Sequence, residues 1–333
     1  MKKSGCALLA VFLALCASMF FNLVLIGLLG AGGAENIASS HSFPPELREM
    51  VVEEGDPSQG KIAVIPVQGV IQTADASEWG TSMVDDIKKA LRVAAADDNV
   101  KAVVLSIDSP GGEVTASDII YNEVLKVQKE KPVVVAMSSL AASGAYYIAC
   151  AADWIVANDT TFTGSIGVII QSLNYEGLFD KVGLDEVVFK SGKFKDMLSG
   201  ARPMTPEEKA YIEGMVKQVY ERFLGIVAQS RDLDAGKLRE GIADGRILTG
   251  KDAQQAGLVD QLGYIEDAFD KARKLAKVPE AEVIRYEPSL NFSRLLHLLG
   301  ASAQSRLQLN VGPAPAFRLQ PGRAYLLPEF YAW

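Results

Sequence analysis

The sequence predicts an α/β fold built on a mainly parallel sheet. Apolar, β-branched runs at 62–67, 100–107 and 132–136 are continuous rather than alternating, as in strands buried on both faces. Between them, residues 82–96 and 114–129 carry a helical period. Strand–helix–strand alternation of this kind implies parallel crossovers. The 333 residues are 49% hydrophobic, enough for one large domain or two smaller ones.

Taken in order, Lys2 and Lys3 precede 24 residues, 7–30, whose only polar side chains are Ser18 and Asn22. That length spans a bilayer and exceeds a secretory apolar core, so it reads as a signal anchor with residues 1–6 in the cytoplasm. The remainder is then expected outside the cytoplasmic membrane. Residues 31–59 read as a linker. In the strand at 62–67, Pro66 implies an edge position or a bulge. The helix at 82–96 opens on a capping pair, Ser82 and Asp85, and buries Val84, Ile87, Leu91 and Ala94 with Ala95. A short buried helix at 146–152 and a strand at 154–157 follow. Residues 158–167 read as a loop, 168–170 as a strand, 173–182 as a helix and 187–196 as extended. Thr205-Pro206-Glu207-Glu208 opens a long helix with a capping box and Pro at its first position. Two short helices lie within 250–277, and Val283-Ile284 forms a last strand. One domain covers 60–290. The apolar extension 291–333 has no assigned structure; it is expected to dock near the substrate groove and compete with peptide.

A net charge of −8 without a basic stripe argues against nucleic acid as a partner. Cys6, Cys16 and Cys150 form no disulfide framework and no CxxC pair, and read as packing residues; neither metal nor cofactor is expected. The two histidines, His41 and His297, lie outside the patterned middle of the chain. A Ser-His-Asp triad within it is excluded, and a base there must be Lys, Asp, Glu or Tyr.

The chain turns at Ser143, which follows a buried strand and begins a buried helix. A hydroxyl at such a corner serves either as a helix cap or as a nucleophile beside backbone N–H groups. Asp108-Ser109-Pro110-Gly111-Gly112 ends the preceding strand and so belongs to the same edge of the sheet, where parallel-sheet folds place ligands. Its glycines let backbone approach a substrate closely. Thr163-Gly164-Ser165-Ile166-Gly167 lacks Gly-x-Ser-x-Gly spacing and reads as a small-residue loop able to bring a hydroxyl near Ser143. A lysine acts as a base only when neutral, which requires a poorly hydrated site. On an extended segment Lys193 and Lys195 share a face and Asp196 takes the other, leaving both lysines as alternatives.

These four motifs, in this order over residues 61–275, resemble signal peptide peptidase A in its short bacterial form. The resemblance implies a Clp-protease/crotonase-like fold and a Ser-Lys serine endopeptidase. It maps the nucleophile to Ser143, the base to Lys195, the residue orienting that lysine to Ser165, and oxyanion N–H groups to Gly111 or Gly112 with Gly144. It further implies a membrane-anchored homo-oligomer in which neighbouring subunits share each site, and remnant signal peptides or other apolar peptides as substrates. A dedicated membrane-protein substrate, or a non-catalytic membrane-anchored scaffold, are the alternative functions. The sequence has Gly144-Ala145 where that family commonly has two glycines; a positive φ at position 145 would strain an alanine.

Overall fold

The structure is a computed structural model, and it describes residues 15, 18–21, 47–73, 82–288 and 325–326. The chain divides into two units, 1–46 and 47–333. In the first, residue 15 and residues 18–21 are helical; the rest of the expected anchor, 7–30, lies outside the described residues, as do His41 and His297. Among the described residues no helix is long and apolar enough to cross a membrane.

In chain order the second unit contains β1 (Leu47–Glu53), β2 (Lys61–Gln68), α1 (Met83–Ala96), β3 (Val100–Ser109), β4 (Gly112–Glu113), α2 (Val114–Gln128), β5 (Val133–Ala142) and α3 (Gly144–Ala149). There follow β6 (Trp154–Ala157), β7 (Phe162–Gly164), α4 (Glu176–Val182), α5 (Pro206–Arg231), α6 (Ala235–Glu240), β8 (Ile247–Thr249) and α7 (Gly250–Gln255). The last elements are β9 (Gln261–Leu262), α8 (Ile265–Ala276), β10 (Glu282–Pro288) and β11 (Tyr325–Leu326). The main sheet runs β1-β10-β2-β3-β5-β6-β9, with β7 and β8 beside this path, and is parallel except for β1 and β8. The α/β expectation therefore holds.

Period-two alternation divides the strands between two cores. Ala63, Ile65, Val67, Val103, Leu105, Val133 and Val135 join the core that contains α1, α2 and α3. Ile62, Val64, Ala102, Val104 and Val134 pack with Ala268, Phe269 and Ala272 of α8. Each such buried Val or Ile stabilises the fold by about 1.5–3 kcal/mol. Burial on both faces explains why these strands read as largely apolar runs rather than as alternating ones.

Pro66 belongs to an interior strand, yet the pairing of β2 with β10 covers only Lys61 to Val64. Among the described residues, beyond Val64 only β3 is hydrogen-bonded to β2, so the missing N–H of Pro66 breaks no ladder on the β10 side. Residues 47–53, read as linker, form β1, which extends the sheet antiparallel to β10. Residues 168–170 are not a strand; β7, within the stretch read as loop, pairs with both β5 and β8. Residues 192–199 are not extended either. The N–H groups of Lys195, Met197 and Ser199 donate to carbonyls three residues back, a run of turns.

Candidate active site

Three parallel strands end at one edge. β3 leads into Gly111-Gly112, β5 into Ser143, and β7 into Ser165. β5 is long enough to serve two neighbours. Its first half pairs with β6, and its last residues, Leu140 to Ala142, pair with Phe162 to Gly164 of β7. Ser143 and Ser165 thus follow paired positions on adjacent strands, and the Ser143 N–H donates to the Gly164 carbonyl at 2.8 Å.

Both serines leave their strands with positive φ, 56° at Ser143 and 49° at Ser165. Ser143 has ψ −114°, outside the regions L-residues ordinarily occupy. Such a backbone costs about 1–3 kcal/mol and persists only where the surroundings impose it. Here the interlocking of β5 with β7 does so. Ser143 occupies the N-cap position of α3, and its carbonyl accepts the Tyr147 N–H at 2.8 Å, but its side chain makes no capping hydrogen bond. Its Oγ is buried, at a residue 1% exposed, and has no hydrogen-bond partner among the described residues. Ala145 is helical and has no positive φ, so alanine fits where a second glycine is usual.

The glycine turn packs directly against this corner. A Cβ on Gly144 would stand 2.5 Å from Ser117 Oγ, 3.1 Å from Gly112 N and 3.3 Å from Gly111 Cα. A Cβ on Gly112 would overlap the Ile71 carbonyl. The Gly111 N–H donates to Ser109 Oγ at 3.1 Å, and the Gly111 carbonyl accepts from the Ile71 N–H at 2.8 Å. Asp108 accepts the Leu140 N–H at 3.2 Å and so ties the turn to β5.

Polar anchors that local sequence patterns did not reveal hold α3 in place. Tyr147 donates to Asp118 Oδ1 at 2.6 Å and accepts from Arg222 Nε at 3.0 Å; Arg222 Nη2 also reaches Asp118 Oδ1 at 2.6 Å. Burial and then the bond to Asp118 push the Tyr147 hydroxyl above the ordinary tyrosine range. Tyr146 donates to the Leu258 carbonyl at 2.9 Å. Burial raises the Cys150 thiol to about 11, which suits a packing residue rather than a thiolate.

Lys195 lies on the arm between α4 and α5 and is exposed. Its neighbours on the arm are engaged: Lys190 donates to Asp196 at 2.7 Å, and Lys193 donates to Glu207 while lying over the Phe194 ring. Among the described residues Lys195 alone of the three has no ion-pair or hydrogen-bond partner for its amine. The structure therefore joins Ser143, Ser165, Gly111, Gly112 and Gly144, and leaves Lys195 on the exposed arm. Among the described residues no cluster of three or more His, Cys, Asp or Glu side chains could hold a metal ion.

One further strand reaches this edge. β11 pairs antiparallel with β4, Leu326 opposite Gly112 and Tyr325 opposite Glu113.

Residues 125–279 match the profile of Peptidase family S49, and residues 69–157 match that of Clp protease; both spans include Ser143. A protein of Enterococcus faecium with the provisional name signal peptide peptidase SppA is 40% identical over 246 residues, covering 73% of this chain and 71% of its own. The chain belongs to peptidase family S49. The chloroplastic serine protease SPPA of Arabidopsis thaliana is 34% identical over 73% of the chain, and Protease 4 of Haemophilus influenzae is 32% identical over 87%. The chain spans 37% and 48% of those two relatives' lengths. The S49 span contains Ser143, Ser165 and Lys195, and the Clp span contains Gly111, Gly112, Ser143 and Gly144.

Proposed function

We propose that this S49 peptidase is a serine endopeptidase working through a Ser143–Lys195 dyad, with Ser165 orienting the lysine. Ser143 Oγ attacks the peptide carbonyl carbon while its proton passes to the Lys195 amine. The oxyanion is received by the N–H groups of Gly112 and Gly144. Gly112 is preferred to Gly111 because Ser109 already takes the Gly111 N–H. The C–N bond then breaks, and Lys195 returns the proton to the leaving amine. Water attacks the acyl-enzyme, giving a proton to Lys195 that is passed back to Ser143. This chemistry uses no cofactor. The observation that carries the reading is Ser143 itself: buried, strained, without a hydrogen-bond partner among the described residues, and set against a turn that admits only glycine.

Fluorophosphonate labelling tests it. Wild type labels at Ser143, Ser143→Ala does not, and absence of label in the wild-type protein would favour a non-catalytic scaffold.

As substrates we propose remnant signal peptides and other apolar peptides outside the cytoplasmic membrane, with the chain anchored there by residues 7–30. The apolar span and the name of the Enterococcus relative support this choice. Faster cleavage of intact membrane proteins than of free signal peptides would move the assignment to a dedicated protein substrate.

A neutral base needs cover from water. Beside the arm, Leu184, Val187 and Phe189 are exposed, Phe189 to 95%. We propose that a second copy of the chain covers this surface, so that each site takes its serine and lysine from different copies.

The pairing of Leu326 with Gly112 supports competition between the C-terminal extension and substrate, since an extended peptide would add to the same edge. A chain ending at residue 290 is expected to show a lower KM for peptides. An unchanged KM and kcat would remove the competition.

A further inference from the structure

Arg202 closes the arm that carries Lys195. It donates to both oxygens of Asp196, from Nε at 3.0 Å and Nη2 at 2.8 Å. It also donates to both oxygens of Glu208, from Nη1 at 2.9 Å and Nη2 at 2.6 Å. Glu208 in turn accepts the Thr205 N–H at 2.9 Å, so the clamp is built onto the N-terminal cap of α5. Only a planar guanidinium can bridge two carboxylates in this way. The Asp196 and Glu208 side chains are 11% and 4% exposed, and Arg202 is 29% exposed.

Asp196 directly follows the proposed base. A carboxylate that pairs with a lysine favours its protonated form, in which the lysine cannot accept a proton from serine. In the structure that carboxylate is filled by Arg202 and Lys190. We propose that Arg202 is a positioning residue for the general base: it holds the Asp196 carboxylate away from Lys195 and leaves the Lys195 amine free to take the Ser143 proton. This rests on Lys195 being the base.

Arg202 first, and then Lys190, hold the Asp196 carboxyl well below the ordinary carboxylate range. Glu208 is held down to about 2, by Arg202 and then by the Thr205 N–H. Other charged groups around the arm include Lys193, Glu207, and Glu186, which accepts from Ser199. Lys193 and Glu207 engage each other.

The test is kcat/KM against pH for the full chain, comparing wild type with Arg202→Gln, Asp196→Asn and the Arg202→Gln/Asp196→Asn pair. Arg202→Gln removes a cation and releases an anion beside Lys195, two changes of the same sign. The acid limb of its profile is expected to rise by about one pH unit, a loss of about tenfold below the limb that is recovered at high pH. The pair removes the released anion, and its limb moves back toward the wild-type position. A clamp that only braced the arm would lower kcat/KM at every pH, with the limb unmoved and no rescue by Asp196→Asn; that result overturns the proposal. If Arg202→Gln does not fold, Arg202→Met and Arg202→Met/Asp196→Asn, which likewise remove the cation and free Asp196, give the same comparison. A limb raised in the first and restored in the second supports the role, and a limb unmoved in the first overturns it. Lys195→Ala separates the two readings. If that variant turns over normally, the dyad is wrong and the role of Arg202 falls with it. If it is inactive while Arg202→Gln keeps its limb, only the role of Arg202 falls.

Discussion

Replacing Lys195 by alanine is expected to lower kcat/KM by at least about 10³-fold with the fold intact, because the only base proposed for Ser143 is gone. Lys193→Ala should stay within about twofold, since Lys193 is committed to an exposed ion pair with Glu207, a contact of little energetic weight. The reverse outcome would transfer the base to Lys193. In the wild type, activity should rise with pH as the lysine loses its proton; a profile flat from acid to neutral pH contradicts a lysine base. Sharing of the site between copies has its own signature. Ser143→Ala retains Lys195, and Lys195→Ala retains Ser143. Co-expressed, two inactive chains rebuild a complete site wherever the right copies meet, about a quarter of the sites in a random mixture. No recovery in mixed oligomers would place both residues of each site within one copy.

The elements that position this site were legible where chemistry is local. Continuous Val and Ile runs announced β2, β3 and β5, and the caps at Ser82 and Thr205 marked the starts of α1 and α5. The corner at Ser143 was visible as a strand-to-helix change. Its backbone was not, because a capping serine and the proposed nucleophile share the same sequence pattern, while the positive φ and the missing side-chain capping bond are seen only in the fold. β1 was hidden by its exposed, charged composition; its partner, β10, lies more than two hundred residues away. β7 is three residues long and owes its existence to the overhang of β5. The polar anchors were hidden for a related reason. Arg222 meets Asp118 across 104 residues of sequence, and no period links them. Glu208 was recognised as half of a capping box, yet its second task, sharing Arg202 with Asp196, depends on how the arm folds back. Local signals thus located the serine corner and the lysine arm, while the contacts that give each its chemical state are long-range or arise from loop folding.

Gly144→Ala is expected to separate activity from stability. The added methyl would stand 2.5 Å from Ser117 Oγ, so something must move, and overpacking of this kind costs about 1–3 kcal/mol. Ser117 is buried and its hydroxyl has no hydrogen-bond partner among the described residues, so trimming it removes the worst contact without orphaning another polar group there. The Gly144→Ala/Ser117→Ala pair should therefore regain most of the lost Tm. It should not regain activity. The next contact is the Gly112 backbone nitrogen at 3.1 Å, and a methyl group pressing there displaces one proposed oxyanion donor relative to the other. Misplacement by a fraction of an ångström to an ångström at a reacting centre costs up to about 10²-fold in rate, and loss of an oxyanion donor about 10²–10³-fold. Ser117→Ala alone serves as the control, with stability and activity close to wild type. If the paired variant recovers both Tm and kcat/KM, the closeness of Gly144 to Gly112 is a packing requirement only, and the oxyanion site must be sought elsewhere along β4.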